Sequence, residues 1–197
     1  MEGQARTHAS RQRLLDASIE YVAQNGLGDV SLRQLAEAIG TSHRMLIYHF
    51  GSKDGLLFEI VRSVEKQQRE ALAGLDLAGG LDESELMRRV WKRLSDPRLW
   101  PHERLFFDVY AQALGGRGQG ARAFLDEVVD AWVKPVSAAL ARRRGVPIAV
   151  ARADARLRLA VVRGLLLDLL ATGDRAGVNR AHEQFIALCE SALPNLE

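Results

Sequence analysis

Apolar residues recur at the three- and four-residue spacing of amphipathic helices along almost the whole chain, and alternating β-branched runs are absent. This pattern predicts an all-α protein. The first helix is expected over about Ser10–Gln24 and ends at Asn25-Gly26, because these residue types tolerate the backbone that closes a helix. Its buried face is predicted at Leu15, Ile19 and Val22.

The stretch Ser31–Leu57 predicts two short helices joined by a tight glycine turn, followed by the start of a longer one. Ser31 and Gln34 have the spacing of a capping box, so the second helix begins here and Gly40 ends it. The third helix covers about Thr41–His49. The expected apolar face of the second helix is Leu32, Leu35, Ala36 and Ile39.

The fourth helix begins after Ser52, whose side chain suits an N-cap. It continues into the polar run EKQQRE and is therefore expected to connect two parts of the molecule. Its predicted buried positions are Leu56, Leu57, Ile60, Val61 and Val64.

Beyond a linker at LDLAGGLD, cap, proline and glycine signals divide the rest of the chain into five helices. Pro135 is expected to kink or split one of them after Trp132, and Pro147 suits a first helical position. The GGRGQG segment predicts a loop. The five helices are expected over about 82–94, 102–114, 121–144, 147–172 and 179–193.

The outward face of the third helix has an unusual composition. A helical wheel with Leu46 turned inward also places Ser42 and Phe50 on the buried side. The outward positions combine a cation with large apolar side chains: Thr41, Arg44, Met45, Ile47 and Tyr48. This mixture suits a DNA groove, because arginine binds guanine O6 and N7 while apolar side chains contact thymine methyl groups.

Further residues near this helix suit the DNA backbone. Tyr48 and His49 carry donors for phosphate oxygens. Lys53 stands in the first turn of the fourth helix, where a cation opposes the helix dipole at a cost of roughly a few tenths of a kcal/mol. A phosphate between Lys53 and the free N–H groups would reverse that sign. Arg33 stands in the first turn of the second helix, which crosses the DNA backbone in a helix-turn-helix.

Composition adds limits. The 27 basic and 25 acidic side chains give a net charge of only +2, so a DNA site must depend on the placement of charge. The single cysteine, Cys189, excludes an internal disulfide framework and a multi-cysteine metal site. A polar N-terminus and the lack of a long apolar run indicate a cytoplasmic protein without a membrane segment. No cofactor is expected.

Residues 10–57 resemble the N-terminal domain of the TetR family of transcriptional regulators. The resemblance is carried by the pattern of the first helix, by SLRQLAEAIGTS and by LIYHFGSKDGLL, which ends close to the family's tyrosine–x–phenylalanine–x–x–lysine. Many members have a small or hydroxyl residue in place of Met45, so no operator sequence is carried over. By position, the resemblance implies DNA contacts from Arg33, Thr41, His43, Arg44, Met45, Tyr48, His49 and Lys53.

The resemblance also implies an all-helical homodimer of about nine helices per subunit that usually acts as a repressor. Residues 1–52 would form the helix-turn-helix DNA-binding domain, and residues 53–197 a helical domain for effector binding and dimerisation. The implied partners are a pseudo-palindromic double-stranded DNA operator, a second copy of the chain and a small-molecule effector.

Aromatic residues concentrate between residues 91 and 132. They are interpreted either as core or as the lining of an apolar effector pocket, in which a polar side chain orients the ligand. The candidate pocket residues are Trp91, His102, Phe106, Phe107, Tyr110 and Trp132.

The last two helices have more apolar positions than one neighbouring helix would cover. They predict a dimer interface of four helices, two from each subunit, and the alternative is a monomer that buries these side chains internally. The candidate interface residues are Leu159, Val162, Leu166, Leu170, Phe185 and Leu188.

Two other classes of function are open. A helical module that binds protein or small molecules without DNA would share most of these features. An enzyme is disfavoured, because no glutamate has a histidine three residues later, as a ferritin-like di-metal bundle needs, and the histidines lack zinc-site spacing. GRGQGA follows a helix rather than a strand, which argues against a dinucleotide site. Cys189 is interpreted as a packing residue, with a redox sensor as the alternative.

Overall fold

The computed structural model describes residues 2–25, 31–76, 81–116, 118 and 120–191. In these ranges the chain forms nine α-helices and one 3₁₀ turn and no strand, which confirms the predicted all-α class. The helices are α1 (Glu2–Asn25), α2 (Leu32–Ala38), α3 (His43–Phe50), α4 (Lys53–Asp76), α5 (Glu83–Leu94), α6 (Trp100–Leu114), α7 (Ala121–Arg144), α8 (Ile148–Thr172) and α9 (Arg175–Ser191), and the 3₁₀ turn is Pro97–Leu99.

The chain divides into two compact units. Unit 1 consists of Met1–Gln67 and Pro101–Val128, and unit 2 of Gln68–Trp100 and Val129–Glu197. The divisions fall inside α4, after the first residue of α6 and inside α7. The functional boundary expected after residue 52 is a different division of the chain and stays a prediction.

Side-chain caps and glycine turns set the limits of α2 and α3 in unit 1. The predicted capping box is present: the Ser31 hydroxyl accepts the Gln34 N–H, and Gln34 Oε1 accepts the Ser31 N–H at 2.8 Å. Ser52 accepts a backbone N–H from the first turn of α4 at 3.0 Å. Gly40 and Gly51 turn the chain on either side of α3 with φ of +69° and +77°, which glycine adopts without strain.

The core of unit 1 follows the predicted apolar stripes closely. Ile19 and Ile39, expected inside, are only partly buried. Ser18 was not expected inside but is fully buried, because its hydroxyl donates to the Leu14 carbonyl at 2.7 Å and is thereby satisfied. The predicted positions that are buried are Leu15, Val22, Leu32, Leu35, Ala36, Leu46, Phe50, Leu56, Leu57, Ile60, Val61 and Val64.

In unit 2, α5 packs against α9, and α9 packs against α8. Asp82 caps α5 as predicted, accepting the Glu85 N–H at 2.6 Å. Gly173 closes α8 with φ of +70°. Asp174 then accepts the Gly177 N–H at 2.8 Å and begins α9. The predicted start of the last helix near residue 179 is therefore wrong, because the Asp174 cap places it at residue 175.

Other helix limits also differ from the predictions. α1 begins at Glu2, eight residues before the expected start, in a segment that has no apolar stripe from which its helical period could be read. α3 covers His43–Phe50 rather than 41–49 because Ser42 is its N-cap. Pro147 is the N-cap of α8 rather than its first helical residue. α7 is a single helix through Pro135, so the expected split does not occur.

The predicted features outside the described residues are Gly26, half of the linker (residues 77–80), Arg117 and Gln119 of the GGRGQG loop, and the expected helix end at Leu193. Within the described ranges, no helix combines the length and apolar character needed to cross a membrane.

An ion cluster joins α5, α7 and α8 within unit 2. Asp154 accepts from Arg158 at 2.9 Å and from Arg144 at 2.8 Å, and both guanidinium groups also bond Glu83. The ion pairs among these two positive and two negative side chains compensate for the hydration that each loses on burial. Burial raises the pKa of Glu83, but the hydrogen bonds and charges of Arg144 and Arg158 outweigh it and hold this pKa below its ordinary value.

A buried histidine lies at the contact between α5 and α9. The His182 ring is only 2% exposed and stacks on Trp91 with ring centroids 5.0 Å apart, while the Trp91 indole N–H donates to Asn179 at 2.8 Å. Burial, the largest influence, lowers the pKa of His182; Glu183 raises it and Arg88 lowers it further. The neutral imidazole is therefore the form that the fold accommodates.

This gives a prediction for stability against pH. Because the pKa of His182 is lower in the folded than in the unfolded protein, the unfolded chain binds the proton more readily. Stability should be constant above the ordinary pKa of 6.5 and fall as the pH drops below it. We expect His182→Phe, which keeps an aromatic ring against Trp91, to flatten the decline in the free energy of unfolding between about pH 6.5 and 5.

Urea unfolding at several pH values measures this, with His43→Gln, a change at an exposed histidine, as the control. An equally steep decline in His182→Phe and in the parent protein would contradict the assignment. Burial also lowers the pKa of His102, so part of the decline should persist in the variant.

Candidate nucleic-acid interface

α3 turns almost all of its side chains away from the core. Only Leu46, at 0% exposure, and Phe50, at 8%, are buried. Met45 and Ile47 are exposed despite their apolar character, and Tyr48 is 70% exposed. We define the outward face of α3 as His43, Arg44, Met45, Ile47 and Tyr48. The helical wheel is thus confirmed for the central turns of the helix.

Two residues near the start of α3 differ from that wheel. Ser42 was expected on the buried side but is exposed, because its hydroxyl caps the helix by accepting the Met45 N–H at 3.2 Å. Thr41, expected to point outward, is partly buried in the turn, where its N–H donates to the Ala36 carbonyl at 2.8 Å. Thr41 is therefore a weaker candidate for a DNA contact than the outward face.

His49 is oriented differently from Tyr48. Its ring is partly buried, packs edge-on to Tyr48 at 4.9 Å, and keeps Nε2 away from solvent. Nε2 has no hydrogen-bond partner among the described residues. A phosphate contact from His49 would have to use Nδ1, because Nε2 faces the protein.

Basic side chains flank α3 on neighbouring helices. Arg33 is exposed in the first turn of α2, and Lys53 is the first residue of α4, directly after the Ser52 cap. α3 itself contains no carboxylate. The nearest acidic residues in sequence, Glu37 and Asp54, lie on α2 and α4. The outward face can therefore approach a polyanion without an acidic side chain of its own helix opposing it.

The predicted pocket residues of α6 form one row within unit 1. His102, Phe106 and Tyr110 are four residues apart, and the Phe106 and Tyr110 rings lie 5.4 Å apart. Phe107 packs edge-on against Phe106 at 5.3 Å. His102 Nδ1 is buried and has no hydrogen-bond partner within the described ranges. Burial lowers the pKa of His102 and so favours the neutral ring.

The two predicted pocket tryptophans belong to unit 2. Trp91 is 5% exposed and fills the contact between α5 and α9, where Asn179 and His182 satisfy and cover it. Trp91 therefore has a packing role, and its edge also lines a surface groove at the end of α5. Trp132 is partly buried, and the Arg69 guanidinium lies 5.7 Å from its ring centroid.

A polar surface groove of about 550 Å³ lies beside Trp91 at the end of α5. Its arginines already have partners: Arg88 bonds Glu183, Arg98 bonds Asp96 at 2.6 Å, and Arg175 donates to the Ser95 carbonyl at 2.9 Å. These cations suit the carbonyl end of α5, where the helix dipole is negative. The three arginines of the groove are therefore held by groups of their own chain.

α8 has two distinct faces. Ala155, Leu166 and Leu169 are buried within unit 2, so Leu166 is not available to a second copy and its assignment to a dimer interface is corrected. Leu159, Val162, Leu170 and Phe185 are partly buried, and Leu188 is 59% exposed. The opposite face presents a continuous exposed apolar row, which we call the α8 stripe: Val150, Ala153, Leu157, Ala160, Gly164, Leu167 and Ala171.

The described residues give little support to a redox role for Cys189 or to a metal site. Cys189 is partly buried on α9, and burial, the largest influence, raises the pKa of its thiol, which disfavours the reactive thiolate. In the described part of the chain, no three histidine, cysteine, aspartate or glutamate side chains are placed to hold a metal ion.

Arg11 and Glu59 are important side chains near α3 that the sequence patterns do not identify. Arg11 donates to Glu59 at 2.5 Å, and its guanidinium lies 5.0 Å from the Phe50 ring centroid. The two residues are 48 positions apart, so no local spacing reveals their contact.

Comparisons with known proteins agree with this geometry. Residues 14–60 match the model of the bacterial regulatory proteins of the tetR family. The HTH-type transcriptional regulator BetI of Stenotrophomonas maltophilia (strain R551-3) is 28% identical over 80 residues, which is 41% of each chain. The aligned part therefore spans less than half of this relative's own length.

Two solved structures resemble nearly the whole fold. A TetR-family transcriptional regulator from Pectobacterium atrosepticum has a TM-score of 0.69 and 19% identity, covering 98% of this chain and 96% of its own. The multidrug binding protein EbrR, complexed with imidazole, has a TM-score of 0.67 and 27% identity, covering 91% and 89%.

The fold and the outward face define an all-helical protein with an N-terminal helix-turn-helix and a C-terminal helical domain. Residues 14–60 carry the helix-turn-helix domain of the TetR family of transcriptional regulators, and the fold as a whole resembles that of solved TetR-family structures.

Proposed function

We propose that the protein is a transcriptional regulator that binds a pseudo-palindromic DNA operator as a homodimer and represses transcription until a small molecule releases it. The observation that carries this proposal is the outward face of α3, where Met45, Ile47 and Tyr48 are exposed beside Arg44 on a helix without a carboxylate. Their exposure to water in the free protein is unfavourable, and a DNA groove that covers these apolar side chains would remove it.

The outward face supplies the groups that distinguish bases. Arg44 takes guanine O6 and N7, and Met45 or Ile47 contacts thymine methyl groups. Arg33, Lys53 and the Tyr48 hydroxyl bind phosphates on either side and set the register of α3 on the duplex. His43 is the first residue of the outward face, and the partly buried Thr41 and His49 lie beside that face in the sequence.

Dimerisation follows from the α8 stripe together with Leu188. The stripe repeats every three and four residues over three heptads, and its glycine and alanines allow a second helix to approach closely. Leu157, Leu167 and Leu188 are each more than half exposed, which a second copy would cover. A two-fold dimer also suits paired half-sites about 34–36 Å apart.

A ligand site is supported by α6. The buried, unpartnered Nδ1 of His102 begins a row of aromatic rings, which is the combination of one polar group and apolar walls typical of small-molecule sites. EbrR, which is similar over most of the chain, is a multidrug binding protein complexed with imidazole. The ligand would act by binding more tightly to the conformation that does not fit the operator.

The first test is selection of bound fragments from a random duplex pool at physiological salt. We expect recovery of a pseudo-palindrome, because the outward face of α3 is presented twice by a two-fold dimer. A folded dimer that retains no fragment, with or without added candidate ligands, would favour a helical interaction module instead.

Two substitutions should affect DNA binding in different ways. Lys53→Ala should weaken binding to all sequences alike and reduce the salt slope by about one unit, because a phosphate contact is lost. Arg44→Ala should instead relax the sequence preference at one position of each half-site, at a cost of about 1–3 kcal/mol. Titrations of matched and mismatched duplexes over a range of salt concentrations separate the two effects. Equal loss of specificity in both variants would contradict the assigned roles.

The α8 stripe predicts a specific loss of dimerisation. Leu167→Arg should weaken the dimer at least tenfold, or by about 1.4 kcal/mol, because a charge would have to be buried in the interface. Leu114→Arg is the matched control, since Leu114 is also an exposed leucine but lies at the end of α6. Sedimentation velocity over a concentration series measures both. A Leu167→Arg dimer as stable as that of the control would exclude this surface.

A further inference from the structure

A chain of ion pairs in unit 1 begins at the end of α3. Phe50, the last residue of α3, lies 5.0 Å below the guanidinium of Arg11 on α1. Arg11 Nη2 donates to Glu59 Oε2 on α4 at 2.5 Å. One arginine thus contacts α3 through an aromatic ring and is held in place by a carboxylate of another helix.

Glu59 is shared with a second arginine. Its Oε1 accepts from Arg62 Nη1 at 2.9 Å, while Arg62 Nε donates to Glu127 on α7 at 2.7 Å. The Arg62 guanidinium also lies 5.8 Å from the Phe124 ring centroid on α7. The connection therefore passes without a gap from Glu127 through Arg62, Glu59 and Arg11 to Phe50, and we call it the Glu127–Phe50 chain.

Apolar packing also joins α4 and α7 beside these ion pairs. Phe58 of α4 stacks on Phe124 of α7 with centroids 4.7 Å apart and the planes 12° from parallel. In the loop before α7, a methyl group at Gly118 would lie only 3.0 Å from Phe58 and Asp54. The first turns of α7 are therefore in close contact with the start of α4, where the ion pairs continue the contact toward α3.

The electrostatics make Glu59 the central group. Burial raises the pKa of Glu59, but the hydrogen bonds and charges of Arg11 and Arg62 outweigh burial, so this pKa lies below its ordinary value. The four charged side chains are 28–57% exposed, and each pair alone contributes modestly to stability. Glu59 couples the two arginines because it binds both, accepting from Arg11 at Oε2 and from Arg62 at Oε1. A contact that shifts Arg62 therefore shifts the Glu59 carboxylate and alters its bond to Arg11.

We propose that Arg11 is a positioning residue for α3 and that Glu127 on α7 controls its position through Arg62 and Glu59. This rests on the proposed function in so far as α3 reads DNA. Without the Glu127 carboxylate, Glu59 is the one remaining carboxylate paired with Arg62 among the described residues, and Arg62 draws it away from Arg11. Phe50 then loses its cation, and the last turn of α3 is held less firmly.

Amide hydrogen exchange in the intact protein without DNA tests the coupling. Arg11→Gln and Glu127→Gln should each speed exchange of the amides of residues 46–51 by about two- to fivefold, as expected for coupling within one ion-pair network. The double variant should exchange no faster than the faster single variant, because both changes interrupt the same chain.

Asp126→Asn provides the matched control. Asp126 is the neighbour of Glu127 on α7 and pairs with Arg122 at 3.1 Å, outside the Glu127–Phe50 chain. Asp126→Asn alone should leave the amide exchange rates of residues 46–51 unchanged. Combined with Arg11→Gln, it should cause no increase beyond that of Arg11→Gln alone. Exchange that is unchanged in Glu127→Gln, or rate increases that multiply in the double variant, would overturn the proposal.

Titration with the selected operator separates positioning from direct contact. Arg11→Gln and Glu127→Gln should lower affinity at every salt concentration without changing the salt slope, since neither removes a phosphate contact. A slope reduced by about one unit in Arg11→Gln would show that Arg11 binds phosphate and would overturn the positioning role. If the parent protein binds no duplex, the proposed function fails, and the exchange measurement still decides the coupling.

Discussion

The orientation of α3 depends on the burial of two side chains. A helix of eight residues is not stable alone in water, so α3 exists because Leu46 and Phe50 enter the core of unit 1. Burying one such side chain is worth about 1.5–3 kcal/mol, enough to fix the rotation of so short a helix. The five residues of the outward face are not buried in this core, which is why their composition carries information about what covers them.

The same constraint explains how much of the fold could be predicted from the sequence. Helix starts are local events, and Ser31, Ser52 and Asp82 each satisfy an N–H within the next turn, so their sequence spacing is sufficient. Other helix starts lack so clear a pattern. Asp174 directly follows the glycine that ends α8, so the same short segment carries both a helix end and a helix cap. The first turns of α1 have no apolar stripe, so hydrophobic periodicity does not reveal them.

Interactions between distant residues could not be predicted. Arg11 and Glu59 are separated by 48 positions, and only the packing of α1 on α4 brings them together. The surface of α8 posed a related problem, because the helix is apolar on both sides. The periodicity predicts apolar faces on α8 but does not predict which of them packs within the same subunit. Buried Leu166 and exposed Leu167 are neighbours in the sequence and differ by about 100° of rotation around the helix.

The positions of the charged side chains are more informative about DNA binding than the net charge of the chain. The first 55 residues contain equal numbers of acidic and basic side chains, which by itself argues against a polyanion partner. The two signs are unevenly placed among the described helices. Asp16 and Glu20 lie on α1, Glu37 on α2 and Asp54 on α4, whereas α3 has Arg44 and no acid. Because exposed charges are screened within about 8 Å at physiological salt, a phosphate at α3 responds to the local charges rather than to the neutral sum. A balanced composition is therefore compatible with a strongly asymmetric binding surface.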